Sequence, residues 1–350
     1  MIPQIDKEIG ISVYTTKLPT VNGKIKENES DFVVKEILSE KALSSFDNHE
    51  GHAIYILKKS GIDTNHALND VEKRYGLVLK SLGLKDANAK TEQYVYTYRQ
   101  LKPLDNIQGK NYSLNKIGFT KKPISKRQML GNLFEIKISG ITESLPSIKG
   151  DEKILNYFGY QRFGSRRPIT HLVGRSIIKG EYSQALDYLL SYSSKYDSEK
   201  NNEIRKLIFE RKSESEILKF IPRSMDIERN LLKQLSVDKD PKNAIRSIPL
   251  SMRRFYIQAY QSYLFNKTLS LAYEYEEDMF TPTQDDVCFD KNTEIGKYQN
   301  DPEQKLAIPL IGHSYYKKSR FDYYIKKILD EELLSPQEFF IKDFQEISID

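Results

Sequence analysis

The sequence predicts an α+β chain in two parts. Residues 1–150 read as a strand-rich stretch around a mixed sheet, and residues 151–350 as mostly helix. Three observations carry that prediction. Before residue 140, apolar and polar residues alternate with period two in several short runs, as half-buried strands require. After about residue 150 the apolar positions recur every three or four residues, the spacing of helices with one buried face. The strands of the first part are interleaved with one clear helix and long loops, which favours α+β over regular strand–helix alternation. With 350 residues, 39% of them hydrophobic and 29% charged, the chain is long enough for two domains and a sizeable core.

In order along the chain, residues 32–38 and 52–58 are rich in β-branched and aromatic side chains and read as strands. Asp63-Thr64-Asn65 offers N-cap chemistry; Ala67, Leu68, Val71 and Tyr75 follow at helical spacing, and Gly76 stops the run. Strands are expected over 77–83 and 92–98, the latter with Tyr94, Tyr96 and Tyr98 on one face, and over 132–139 with Phe134, Ile136 and Ile138 on one side. Helices are expected over 183–196, 202–217, 226–235, 252–272 and 321–334. The fourth carries an apolar stripe of Met252, Phe255, Tyr256, Ala259, Tyr263 and Leu264. The acidic segment 278–309, with prolines at 282, 302 and 309, reads as loop with short strands.

Composition excludes several classes of function. A single cysteine, Cys288, rules out an internal disulfide framework and a cysteine-based zinc site, and fits a reducing cytoplasm. No stretch approaches the ~20 apolar residues of a membrane span, and the first residues do not read as a signal peptide. The five histidines lack metal-site spacing, and no phosphate-binding glycine loop is present. The net charge is only +5, but it is unevenly distributed. Residues 121–180 hold twelve Lys/Arg against four Asp/Glu, whereas residues 271–305 hold three against ten. That asymmetry hints at a polyanion-binding face, and 23 Tyr with 16 Phe supply flat side chains for stacking on bases.

The segment with the most chemistry is the loop Gly83-Leu84-Lys85-Asp86-Ala87-Asn88-Ala89-Lys90-Thr91-Glu92-Gln93, which sets one short carboxylate between two lysines. A lone aspartate in a turn also serves as a simple turn former. The loop resembles the catalytic-aspartate motif G-L-K-D-x-x-A-x-T-x-Q of the TruD family of tRNA pseudouridine synthases. Five further blocks resemble that family in the same order. They are Lys26 with Ser30-Asp31-Phe32-Val33-Val34-Lys35-Glu36; Gly51-His52 with Lys58, Thr64 and Ala67; and Gly131-Asn132-Leu133-Phe134. Asn156-Tyr157-Phe158-Gly159-Tyr160-Gln161-Arg162-Phe163-Gly164 and Ala259-Tyr260-Gln261-Ser262-Tyr263-Leu264-Phe265-Asn266 complete the set.

The resemblance implies a pseudouridine synthase catalytic domain over residues 1–150 and a helical TRUD-type insertion domain over 151–350. The family's usual carboxy-terminal return to the catalytic domain (L-P-x-G-S-[YF]-A-T) finds no counterpart. It also implies an isomerase that detaches uracil from its ribose and rejoins it through carbon, without redox cofactor, nucleotide or metal. The substrate would be a uridine of tRNA, at position 13 or position 35 by resemblance. In that frame Asp86 is the catalytic carboxylate, and Lys26 holds it charged; read alone, Lys26 is a solvated lysine before a strand. Phe134 would stack on the extruded base and Asn132 would position it, although alternation alone also suits a core phenylalanine and a strand-edge amide. Lys122, Lys126, Arg127, Arg162, Arg166, Arg167 and Arg175 are the candidate contacts to tRNA phosphates. Arg253 and Arg254 could serve packing or RNA, and His52 is expected to make a structural hydrogen bond. A cytoplasmic monomer with tRNA as partner, no membrane and no required protein partner is the accompanying expectation. The alternative is a catalytically impaired tRNA-binding protein of the same fold.

Overall fold

In the computed structural model the described residues are 2–16, 18, 21–46, 49–98, 104–144, 153–210, 214–222, 225–291, 294–316 and 319–350. The chain divides into two compact units, residues 18–148 and residues 1–17 with 149–350. The expected boundary at 150/151 lies outside the described residues. Residues 2–16, expected with the strand-rich part, belong to the helical unit, beginning with α1 (Gln4–Glu8).

The strand-rich unit runs β1 (Lys24–Ile25), β2 (Phe32–Leu38), α2 (Glu40–Leu43), β3 (His52–Lys59), α3 (Thr64–Tyr75), β4 (Leu79–Ser81), β5 (Lys90–Thr97), β6 (Asn106–Gln108), β7 (Tyr112–Thr120), β8 (Met129–Ile136) and β9 (Ile138–Ser139). Seven of these strands form one mixed sheet in the order β6-β7-β3-β5-β2-β8, with β4 on β5; the β2–β5 pair is parallel and the other pairs are antiparallel. Helix α3 has the predicted ends: Asp63 accepts from the His66 N–H at 3.0 Å, and Gly76 closes the last turn at φ 67°. Its Ala67 and Val71 pack on Tyr55, Leu57 and Val95 of one sheet face. The other face holds Leu38, Phe46 and Ile54, with Tyr94 and Tyr96 against them; Tyr98 lies past the strand end and is exposed. His52 does make the structural bond expected of it, Nδ1 to the Thr97 carbonyl at 2.7 Å.

Edge strand β8 departs from the alternation reading. Phe134 and Ile136 are about half exposed rather than core, because among the described residues β8 pairs within the sheet on its β2 side alone; Ile138, equally exposed, lies beyond β8 in the two-residue β9, which pairs with β1. The long β7 was not legible, since its run of Asn115, Lys116 and Gly118 among apolar residues imitates a loop.

In the helical unit, α4 (Tyr160–Phe163), α5 (Thr170–Ile178), α6 (Tyr182–Leu190), α7 (Glu199–Phe209), α8 (Glu214–Phe220), α9 (Asp226–Val237) and α10 (Pro241–Arg246) lead to the 25-residue α11 (Leu250–Glu274). Three short strands β10 (Val287–Phe289), β11 (Ile295–Lys297) and β12 (Lys305–Leu306) then form a small sheet in the acidic segment, and α12 (Asp322–Glu332) follows. The expected one-sided stripe of α11 is corrected. The helix is buried on most sides, with Arg253, Gln261, Ser262 and Asn266 inside as well as Tyr256, Tyr260 and Leu264. Its buried polar groups stitch loops in place: Asn266 donates to the carbonyls of Ile9 and Phe158, and Gln261 to that of Ile311 at 2.7 Å. Two of the recognised sequence blocks are therefore held together by hydrogen bonds of the kind buried polar groups require.

His171 on α5 is 2% exposed, stacked on Tyr263 at 4.8 Å and edge-on to Phe163 at 5.3 Å. Burial pulls its imidazole down to about 4 from the ordinary 6.5. Between those values the unfolded chain binds the extra proton, so stability falls as pH drops through the window. The loss from this group is roughly 3 kcal/mol. Urea titrations between about pH 7 and pH 4 are expected to show that slope in the wild type and a flatter one in His171→Phe.

Candidate active site

The loop after β4 is gripped through its backbone. Thr64, at the start of α3, accepts from the Lys85 N–H at 2.9 Å and donates to Gln93 Oε1 at 2.8 Å, while Gln93 Nε2 holds the Gly83 carbonyl at 3.0 Å. The Gly61 N–H donates to the Ala87 carbonyl at 3.1 Å, and the Lys59 ammonium to the carbonyls of Asp86 and Lys85 at 2.8 and 3.1 Å. Below the loop, the fully buried carboxylate of Glu36 accepts from Lys85 Nζ at 2.8 Å and from the Tyr94 N–H at 2.8 Å. These groups turn the loop into a rigid mount. Asp86 is its projecting side chain, with 70% of that side chain exposed.

The Lys26 ammonium lies 3.5 Å from Asp86 Oδ2 and 4.1 Å from the centroid of the Phe32 ring. That ring stands 5.9 Å from the ring of Phe134, centroid to centroid. Carboxylate, ammonium and two aromatic rings are thus contiguous. Phe134 pairs with Val34 and Asn132 with Glu36 across β2 and β8, which puts Phe134 and Asn132 on the same sheet face as Phe32 and Glu36. The Oδ1 of Asn132 is buried and has no hydrogen-bond partner among the described residues. An unpaired acceptor beside an exposed aromatic ring can take a hydrogen bond from a ligand's donor.

Lys26 itself sits at φ 60°, a left-handed conformation that costs a residue with a Cβ about 1 kcal/mol. Its exposed ion pair stabilises the fold little. Lys26→Gly is therefore expected to leave the melting temperature unchanged or raised, while lowering turnover by about 10- to 100-fold. A lower melting temperature with unchanged turnover would count against a role for this side chain.

The basic candidates separate into two groups. Lys122, Lys126, Arg127 and Arg166 are exposed, and the half-buried Arg162 lies over the rings of Phe158 and Phe255 at 5.3 and 5.4 Å. Arg167 and Arg175 are corrected. Arg167 donates to the Leu189 carbonyl at 3.0 Å and faces Glu228 at 3.7 Å with 13% of its side chain exposed; Arg175 pairs with Glu332 at 2.9 Å. Both are committed to the helical core, where burial pulls Arg167 down to about 10. Arg253 and Arg254 bind the carboxy-terminal segment, Arg253 through the Glu346 carboxylate and Arg254 through the Glu346 carbonyl. Among the described residues no group of three or more His, Cys, Asp or Glu could hold a metal ion, and no helix is long and apolar enough to cross a membrane.

Glu36, Lys59, Thr64 and Gln93 have roles in holding the loop that the sequence alone does not assign. The signal for Glu36 was present: it occupies an inward position of β2, in register with Val34 and Leu38, where a carboxylate needs a partner.

A family model described as tRNA pseudouridine synthase D (TruD) matches residues 8–350. The chain belongs to the TruD family. A relative from Nanoarchaeum equitans, named "Probable tRNA pseudouridine synthase D", is 32% identical over 333 residues, 88% of this chain and 84% of its own. A relative of the same name from Methanococcoides burtonii is 31% identical over 282 residues, 76% of this chain. The match spans 63% of that relative's length. The crystal structure of a TruD protein from Methanosarcina mazei superposes with a TM-score of 0.77 at 24% identity, covering 99% of this chain and 87% of its own. That likeness establishes the α+β TruD fold, mixed sheet included.

Proposed function

We propose that this chain isomerises a uridine in tRNA to pseudouridine, with Asp86 as the reacting carboxylate. The observation that carries the reading is the contiguous set of Asp86, Lys26, Phe32 and Phe134 on a rigid mount. The reaction breaks the bond from N1 of uracil to the ribose and forms one from C5. The proton lost from C5 is balanced by one gained at N1, so no oxidant, nucleotide or metal enters the balance. It needs an anionic oxygen at the sugar, as nucleophile or base, and a surface that holds the detached base while it turns. Asp86 supplies the first. The exposed Phe134 face and the unpaired Oδ1 of Asn132 fit the second.

Lys26 gains its effect when RNA covers the site. In water an ion pair near 4 Å is worth about 1 kcal/mol, and about 4 kcal/mol at the lower effective dielectric of a covered site. The ammonium thus stabilises the charged form of Asp86 most when the base is bound. Lys122, Lys126, Arg127, Arg162 and Arg166 remain as candidate phosphate contacts, and pulling the uridine from its stack costs a few kcal/mol that such contacts offset.

The test is release of tritium from tRNA labelled at C5 of uridine, followed by mapping of the modified position. Stoichiometric release is expected. Salt-sensitive tRNA binding without release would instead leave a binding protein of this fold, and uracil set free from nucleosides would indicate a glycosidase.

A further inference from the structure

Lys59 ends β3 and is 3% exposed, yet the acceptors of its ammonium are two backbone carbonyls, those of Asp86 and Lys85. A buried cation held this way is costly, and a neutral side chain would cost the fold less. Of the groups gripping the loop, Thr64 and Gln93 reach Lys85 and Gly83, and Gly61 reaches Ala87. Lys59 alone among them holds the carbonyl of Asp86 itself. The orientation of that peptide sets the direction in which Cβ and the carboxylate leave the loop.

We propose that Lys59 is a positioning residue for Asp86: its ammonium, anchored on the carbonyls of residues 85 and 86, aims the carboxylate at the reacting sugar. This rests on Asp86 being the reacting group. Burial lowers the Lys59 ammonium from the ordinary 10.5 to about 8, against the pull of Asp63 and Asp86 and with the push of Lys85. Lys59 also lines a cleft of about 740 Å³ whose charged rim consists of Glu29, Lys35, Lys58, Lys90, Glu92 and Lys110. Between about pH 8 and the ordinary value the unfolded chain binds the extra proton, so stability rises with pH there. The grip on Asp86 weakens over the same range, as a charge-assisted bond becomes a neutral one. Rate and stability therefore move in opposite directions with pH, which a purely structural role would not produce.

The experiment measures single-turnover tritium release, tRNA affinity and melting temperature for wild type, Lys59→Met and Lys59→Arg from about pH 6.5 to about pH 10. Lys59→Met is expected to fold with a melting temperature at or above that of wild type. Its rate should fall by about 10- to 100-fold near pH 7, with tRNA affinity changed less than about threefold. The wild-type rate should decline through about pH 8, and Lys59→Arg should remove that decline because its guanidinium stays charged. A wild-type rate in Lys59→Met, or a loss confined to tRNA affinity, overturns the proposal. Should Lys59→Met not fold, an identical decline in wild type and Lys59→Arg overturns it. Asp86→Asn separates the two readings. Full activity in that variant removes the role of Asp86, whereas its inactivity beside an unimpaired Lys59→Met removes only the positioning.

Discussion

Asp86→Asn is expected to lower single-turnover tritium release by about 10⁴-fold or more, with the protein still folded and tRNA affinity within about threefold of wild type. The size follows from what an amide lacks. It matches the carboxylate in shape but has neither its charge for the developing cation at the sugar nor its basicity. The intact fold follows from exposure: the Asp86 side chain projects from its mount, and its paired side-chain group is Lys26, itself at the surface. Substitutions at such positions change stability by about 0.5 kcal/mol or less. Asp86→Glu keeps the charge but moves it by a methylene, and is expected to retain a small residual rate because alignment within about 0.5 Å matters. Equal rates for Asp86→Asn and wild type would remove the carboxylate from the chemistry.

The second large effect concerns the mount. Glu36→Gln is expected to destabilise the strand-rich unit by about 3–5 kcal/mol. The glutamine still accepts from the Tyr94 N–H, but Lys85, with 10% of its side chain exposed, is left without its counter-charge. Adding Lys85→Met to Glu36→Gln should recover most of that loss, because no unpaired buried charge remains while the amide still accepts from the Tyr94 N–H. Urea denaturation followed by a probe confined to residues 18–148 measures both. Equal stability of Glu36→Gln and wild type would mean that the pair does not anchor the loop. Turnover is expected to fall in both variants, since Lys85 directly precedes Asp86 and its side chain ties the loop to β2.

What the sequence offered for the candidate site was a set of short motifs carrying Asp86, Lys26, Asn132 and Phe134; Asp86, Lys26 and Phe134 lie along one contiguous path through Phe32, and Asn132 shares the sheet face of Phe134. The Asp63 and Gly76 caps announce α3. What escaped was decided by pairing between distant strands. Glu36 meets Lys85 49 residues away, and Lys59 meets Asp86 27 residues away; neither contact has a local signature. Arg167 and Arg175 show the converse. A cluster of arginines looks the same in sequence whether it faces phosphate or, as here for these two, Glu228 and Glu332. The exposed ring of Phe134 reflects the same limit. Alternation placed it on one face of β8, and only the sheet order shows that this strand is an edge.

Pseudouridine counted in nucleoside digests of unmodified tRNA, incubated with excess protein, reports whether Asp86 carries out the isomerisation. One new pseudouridine per accepted tRNA is expected with wild type, and none with Asp86→Asn over the same time. Pseudouridine formed equally by both proteins, or by neither with any tRNA that the wild type binds, would contradict that role.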